Sequence, residues 1–383
     1  MTATDREMTQ GTTPDFGAST RLVFYGEHSA SLSLYLDGLP GDLAARVSVL
    51  PPRRLQTDLP LLAAAGLVVF VRGFEHVWRS GLLTALERAG VPCAWFTDDD
   101  LTALRRDQPG FAFYTDARVR DFAARMVAVI GTSPALCARL ASFHRTVLHW
   151  PCVLDERLLA PPAVHPTGRP NRPPRVACVG GDFRAEGLRR VVLPALDVLP
   201  GARVLLADRL AAGIPGAHVL PFEPDFPRFV ATWRAAEPDI LVHPPGQTAN
   251  LSMKGPGTLL AALYLGAAPV VADEAAYGGL GIAQGVLRAD DSVAAWRAAL
   301  TRLADPDVRR QHLARLLAHF RAVASPEAAR ATIEALLAYA APGGAAAAAR
   351  QAAALRLGWR PPLSVVWRAR LQRLLRPRAS RSR

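Results

Sequence analysis

The sequence predicts an α/β protein of two Rossmann-like domains facing each other across a cleft, with a C-terminal helical tail. Three observations carry this reading. Short, wholly apolar runs recur along the chain, as strands buried on both faces of a parallel sheet do. Amphipathic helical stretches alternate with them, which is the pattern of βαβ units. A stretch at 160–175, "APPAVHPTGRPNRPPR", interrupts the alternation with six prolines in sixteen residues, more than a helix or central strand tolerates.

The elements follow in order. Residues 1–20 are polar, with no apolar signal region, and read as a disordered leader of a cytoplasmic chain. The first domain, 21–159, holds strand candidates at 21–26, 45–50, 66–73, 91–96, 126–133 and 146–151. The stretch 75–90, "EHVWRSGLLTALERAG", has apolar residues at spacings of three and four, and predicts one helix. After the linker (160–174) the pattern restarts in a second domain, 175–340. Its strand candidates are 175–181, 202–208, 217–223, 239–245 and 268–273, with a helix over 186–201. Helices dominate from 292 to about 340, and 341–350, "APGGAAAAAR", reads as a low-complexity joint before the tail. Open parallel sheets bind ligands at their carboxyl ends, so the cleft is expected there.

Composition narrows the function classes. No apolar run reaches the ~18 residues of a spanning helix. Cys93, Cys137, Cys152 and Cys178 are scattered without metal-ligand spacing and read as buried thiols, so no metal site is expected. The net charge is +12, but residues 355–383 hold nine arginines and no acid, leaving only +3 on the rest. A nearly neutral body argues against nucleic acid as a partner.

The chemistry gathers where strands give way to helices. Of the 45 Lys+Arg residues only Lys254 is a lysine, and it stands in a Gly/Pro-rich bend just ahead of an apolar helix. An ammonium there faces whatever anion the helix amino terminus attracts, and a diphosphate suits it. At 180–188, "GGDFRAEGL", Gly180 and Gly181 allow close backbone approach, and Arg184 offers a charged fork to a phosphate. A purely structural strand-to-helix turn is the alternative reading. "TDDD" (97–100) has two readings as well, a hard-cation site or a helix cap.

The series Asp239, Ile240, Leu241, Pro244, Asn250, Lys254, Gly266, Pro269, Val270, Val271 and Tyr277 resembles the group 1 glycosyltransferases of the GT-B fold. The likeness is to the branch with an N-x-x-K-S…E motif in the C-terminal domain. "RGFEH" (72–76), "IGTSPALCARL" (130–140) and "WPCVLDERLL" (150–159) are similar to first-domain segments of that family. The resemblance spans roughly residues 20–325. It implies transfer of a sugar from a nucleotide-diphosphate-sugar donor to a glycan or lipid-linked acceptor, with retention and without a metal or other cofactor. Lys254 would then be catalytic, stabilising the leaving diphosphate with Arg184. Gly180, Gly181, Asn250 and Tyr277 would bind substrate. His76 and His28, both just past first-domain strands, are candidates to face the donor sugar, His76 also as a proton carrier. A satisfied or surface histidine is the alternative for each.

Three positions depart from the family pattern. Gly255 stands where a serine is expected, Thr258 where a second lysine is, and Ala261 where a glutamate commonly holds the nucleotide ribose. Losing that acceptor costs donor binding on the order of 1–3 kcal/mol. Glu274, past the next strand, is a candidate replacement. A catalytically impaired glycosyltransferase-like binding or scaffold protein is therefore the second reading.

In the tail, Leu363, Val366, Trp367, Leu371, Leu374 and Leu375 form one helical stripe flanked by arginines. This suits peripheral attachment to an anionic membrane surface through 361–383. A helix packed back on the body is the alternative.

Overall fold

The computed structural model describes residues 21–159 and 172–356. The leader, residues 160–171 of the linker and the basic stripe at 361–383 lie outside those residues.

Among the described residues twelve strands form two six-stranded, all-parallel sheets. The first comprises β1 (Leu22–Tyr25), β2 (Val47–Leu50), β3 (Leu67–Val71), β4 (Cys93–Thr97), β5 (Ala128–Gly131) and β6 (Val147–His149), in the order β2-β1-β3-β4-β5-β6. The second comprises β7 (Arg175–Cys178), β8 (Arg203–Ala207), β9 (His218–Leu220), β10 (Ile240–His243), β11 (Ala268–Ala272) and β12 (Leu287–Ala289), ordered β12-β11-β10-β7-β8-β9. The apolar runs became strands because helices cover both faces: Leu22, Val23, Phe24, Val68, Val69, Ile240 and Leu241 have no exposed surface. Each such side chain contributes about 1.5–3 kcal/mol of burial.

Three stretches differ from expectation. The helix over 75–90 is two helices, Glu75–Ser80 and Leu82–Arg88, because Gly81 sits between them at φ 72 and closes the first turn left-handed. The helix over 186–201 widens into a π turn at Leu188–Val192, just before Pro194, which has no N–H to close an ordinary turn. The alanine-rich joint forms a helix, Gly344–Arg356, in keeping with alanine's propensity. The short strand β12 was not anticipated.

The chain does not stay with the second sheet. Leu154 N donates to Ala324 O (2.8 Å), Thr332 Oγ1 to His149 O (2.6 Å) and Ala341 N to Gly66 O (2.8 Å). Arg350 then donates to Ala63 O and Ala65 O at the end of the helix Leu55–Ala64. The last helices thus tie the second lobe back onto the first. Cys93, Cys152 and Cys178 are buried free thiols and Cys137 is half-buried. Among the described residues no helix is long and apolar enough to cross a membrane.

Candidate functional site

In each sheet the strand order reverses beside the first strand, so that β1 lies between β2 and β3, and β7 between β10 and β8. Such switch points open a crevice at the carboxyl ends of the strands. A cleft of about 350 Å³ lies there, between the lobes. Ser31, Leu34, Tyr35 and Asp98 line it from the first lobe, and residues from all the loops after β7, β8, β9, β10 and β11 line it from the second.

The helix Gly257–Leu265 starts at this cleft. Pro256 is its N-cap and supplies no side-chain hydrogen bond, so the first turn has no capping side chain; Leu259 N donates to Pro256 O (2.9 Å). Gly257, Thr258 and Ala261 of this helix line the cleft, as do Lys254 just before it and the Gly180–Gly181 turn after β7. A helix amino terminus, an ammonium and a glycine turn therefore converge on one volume, a combination that favours a bound anion.

Both predicted cations already have carboxylate partners. Arg184, only 2 % exposed, makes a two-pronged pair with Glu274, Nη1 to Oε1 at 2.8 Å and Nη2 to Oε2 at 2.9 Å. Gly246 N also donates to Glu274 (3.1 Å). Glu274 is thus committed to holding Arg184 and the loop after β10. Lys254 is ion-paired with Asp99 of the first lobe, and its side chain stays about a third exposed.

Asp99 is the hub of a contact between the lobes. It is almost wholly buried, pairs with Lys254 and Arg72, and accepts from Asn250 Nδ2 (2.5 Å). Burial pushes its carboxyl up, but the Lys254 ammonium and Arg72 guanidinium override this and hold it at about 2. Asn250 also accepts from Asp100 N (2.7 Å). The turn Leu251–Met253 puts three residues between Asn250 and Lys254, one more than an N-x-x-K spacing, and Asn250 spends its amide on the first lobe. Asp98 pairs with Arg72, and Asp100 caps the helix Leu101–Asp107. All three carboxylates of "TDDD" therefore have protein partners. Arg72 itself sits at φ 56, a conformation that costs a non-glycine residue on the order of 1 kcal/mol, beside the strand end it organises.

The glycine at 255 has a reason in this geometry. A Cβ there would lie 3.1 Å from Thr132 O and 3.4 Å from the Tyr35 hydroxyl, both of the first lobe. The serine of the family pattern would crowd this lobe contact by a few tenths of an ångström.

His243, at the end of β10, was missed by sequence reasoning. It lines the cleft, with Nδ1 2.6 Å from the Tyr277 hydroxyl and Nε2 3.3 Å from Thr258 Oγ1. Burial and the Arg184 and Lys254 charges hold its pKa well below the usual histidine value. Burial pushes the Tyr277 hydroxyl up to about 12. The three form a neutral relay in which one ring nitrogen accepts and the other donates. The "DILVHPP" run carried the signal, since a histidine at the carboxyl end of a buried strand faces the crevice.

Of the expected site residues, the structure brings Gly180, Gly181, Arg184, Lys254 and Tyr277 to the cleft wall. Asn250 lies behind that wall in the lobe contact. Neither first-lobe histidine lines the cleft: His28 lies in the loop after β1 and His76 in the helix Glu75–Ser80 after β3. His28 is exposed and pairs with Asp37 (3.0 Å). His76 packs its ring against Tyr25, its Nε2 is buried without a partner, and burial lowers its pKa to about 4.

No protein-family model matches the sequence, and no curated protein does. Solved structures do. One is Anabaena Alr3699/HepE in complex with UDP and glucose, with a TM-score of 0.56 at 13% identity, covering 84% of this chain and 100% of that one. The chain has the GT-B fold. A second GT-B match, the trehalose-6-phosphate synthase OtsA, has a TM-score of 0.50 at 10% identity, with 83% of this chain and 99% of that one covered. At these identities the likeness to GT-B structures is one of fold, and the residues of the cleft must carry the function.

Proposed function

We propose that this GT-B protein is a glycosyltransferase that takes a nucleotide-diphosphate sugar into the interlobe cleft and transfers the sugar to a glycan or lipid-linked acceptor. One observation carries the reading. The only lysine in the chain stands at the cleft wall, beside a helix amino terminus with no capping side chain and facing a glycine turn at the sheet's switch point. The diphosphate lies along that helix end. As the bond from the anomeric carbon to the phosphate oxygen breaks, its electron pair leaves with the diphosphate, and Lys254 and the helix N–H groups stabilise the growing charge. The acceptor oxygen bonds to the anomeric carbon, and its proton passes to the departing diphosphate oxygen, directly or through a first-lobe base. The ammonium supplies the charge that a metal would otherwise provide, and the family resemblance supports retention of configuration. UDP and glucose bound to the Anabaena GT-B structure support a nucleotide and a sugar as occupants. His76 remains the first-lobe candidate for proton transfer, and residues 361–383 for attachment at the inner membrane face.

A second reading, a binding protein without turnover, is favoured by Ala261, whose methyl stands in the cleft where an acidic acceptor is expected. Screening UDP-, GDP- and dTDP-sugars by thermal shift and assaying nucleotide release with wild type and Lys254→Ala separates the two. Stabilisation with release that fails in the variant supports the transferase. Stabilisation without release in any acceptor mixture supports the binding protein, and no stabilisation by any donor overturns both.

A further inference from the structure

The nucleoside end of the cleft is chemically distinct from its phosphate end. Among the described residues, four carboxylates line or border the cleft with cationic partners or none: Asp98 is held by Arg72 and Glu274 by Arg184, whereas Asp208 and Glu223 have no ion pair. Among the described residues Asp208 takes only the N–H of Arg209 (2.7 Å) and Glu223 only that of Asp225 (3.1 Å), which leaves each acceptor capacity to spare. Between them, the Arg209 guanidinium lies 4.3 Å from the centroid of the Phe222 ring, which is 55% exposed. A flat cation stacked on an open aromatic ring is a platform for another planar ring.

We propose that Glu223 and the Arg209–Phe222 stack make this site select guanine, and that Asp208 takes the ribose hydroxyls that Ala261 cannot. The proposal rests on the donor reading above. An ionised carboxylate only accepts. Among the common bases, guanine alone presents two adjacent donors, N1–H and the N2 amino group, on one edge. Uracil and thymine set a single N–H between two carbonyls that a carboxylate repels. Adenine and cytosine place an acceptor beside their amino group. Asp208 directly follows β8, the neighbour of the strand bearing the Gly180–Gly181 turn, where a carboxylate meets ribose hydroxyls in dinucleotide folds. The cleft thus replaces one acceptor on the helix Gly257–Leu265 with two on the opposite loops.

Calorimetry with GDP, UDP, dTDP, ADP and CDP on the full chain tests this. GDP is expected to bind at least about tenfold tighter than the others, as one well-made two-pronged pair provides. Glu223→Gln should weaken GDP about tenfold or more and leave UDP little changed, since an amide both donates and accepts. Asp208→Ala, which removes the acceptor altogether, should erase any preference for GDP over 2′-deoxy-GDP while keeping the preference among bases. Asp208 is exposed and Glu223 half-buried, and each holds only a neighbouring backbone N–H, which water can accept at the first position and an amide oxygen at the second, so neither change threatens folding. Equal binding of all five, a preference for another base, or a Glu223→Gln variant that binds GDP unchanged overturns the guanine assignment alone. Failure of every diphosphate to bind overturns the donor reading with it.

Discussion

Lys254 of the second lobe is ion-paired with Asp99 of the first, 155 positions away in sequence, at the edge of the cleft that separates the lobes. The same ammonium is therefore both a candidate phosphate ligand and one half of a clasp. A diphosphate arriving at the helix Gly257–Leu265 competes with Asp99 for it. Asp99 would keep Arg72 and Asn250, so the clasp loosens without stranding a buried charge.

Asp99→Asn separates these two roles. It removes the carboxylate and leaves Lys254 with its charge, so nucleoside diphosphate binding should tighten severalfold while the lobes part more easily. Titration calorimetry and small-angle scattering read the two effects. Unchanged affinity would mean that Asp99 and the ligand do not share the ammonium.

Asp99 also predicts a limb of the acid unfolding curve. Its folded pKa of about 2 lies below the ordinary 3.8, so the folded state holds fewer protons between these values. The stabilisation is complete above about pH 4 and is lost as pH falls toward 2. It amounts to roughly 2 kcal/mol. Urea unfolding at pH 7, 4 and 3 should show that loss in wild type and a shallower one in Asp99→Asn.

Substitution at Lys254 should act on turnover more than on folding. Lys254→Ala is expected to lower nucleotide release about 10²- to 10³-fold, the range for removing one preorganised electrostatic contact. Lys254→Arg keeps the charge on a broader fork and should retain part of the rate. Both are read by nucleotide release from the donor that stabilises the protein best.

The buried pair Arg184–Glu274 gives the opposite balance. Glu274→Gln leaves an unpaired guanidinium with 2% exposure and should cost about 3–5 kcal/mol. Arg184→Met combined with Glu274→Gln should recover most of it. If Arg184 can face a phosphate once Glu274 is neutral, a nucleoside diphosphate will raise the melting temperature of Glu274→Gln more than that of wild type.

What the sequence disclosed follows from the range of the interactions. Strands buried on both faces announce themselves as unbroken apolar runs, so eleven of the twelve were legible; β12, "LRA", is three residues long with an exposed arginine in its middle. Lys254 was legible because it is alone of its kind. Its partner was not, since nothing local to "TDDD" says that one of three adjacent carboxylates meets a lysine 155 positions on, another an arginine and the third a helix end. The commitment of Glu274 to Arg184 was hidden in the same way, by a separation of 90 positions. Gly81 did announce its break, in the middle of an otherwise helical stretch, but helical spacing on both sides masked it.

His76 offers a test that separates structure from chemistry. Burial lowers its pKa to about 4, and its Nε2 lies without a partner beside the Tyr25 ring. The unfolded chain takes a proton near pH 6.5 that the folded chain refuses until about 4. The associated stability is thus fully present above 6.5 and falls as pH drops through that window, by up to about 3 kcal/mol. His76→Phe sets an apolar ring in the same place and should flatten the pH dependence of unfolding between 6.5 and 4. Its stability at pH 7 should change little, because no hydrogen bond to Nε2 is lost. Nucleotide release by the same variant at pH 7 then isolates chemistry: a tenfold loss at unchanged stability would place His76 in proton transfer, and an unchanged rate would confine it to packing.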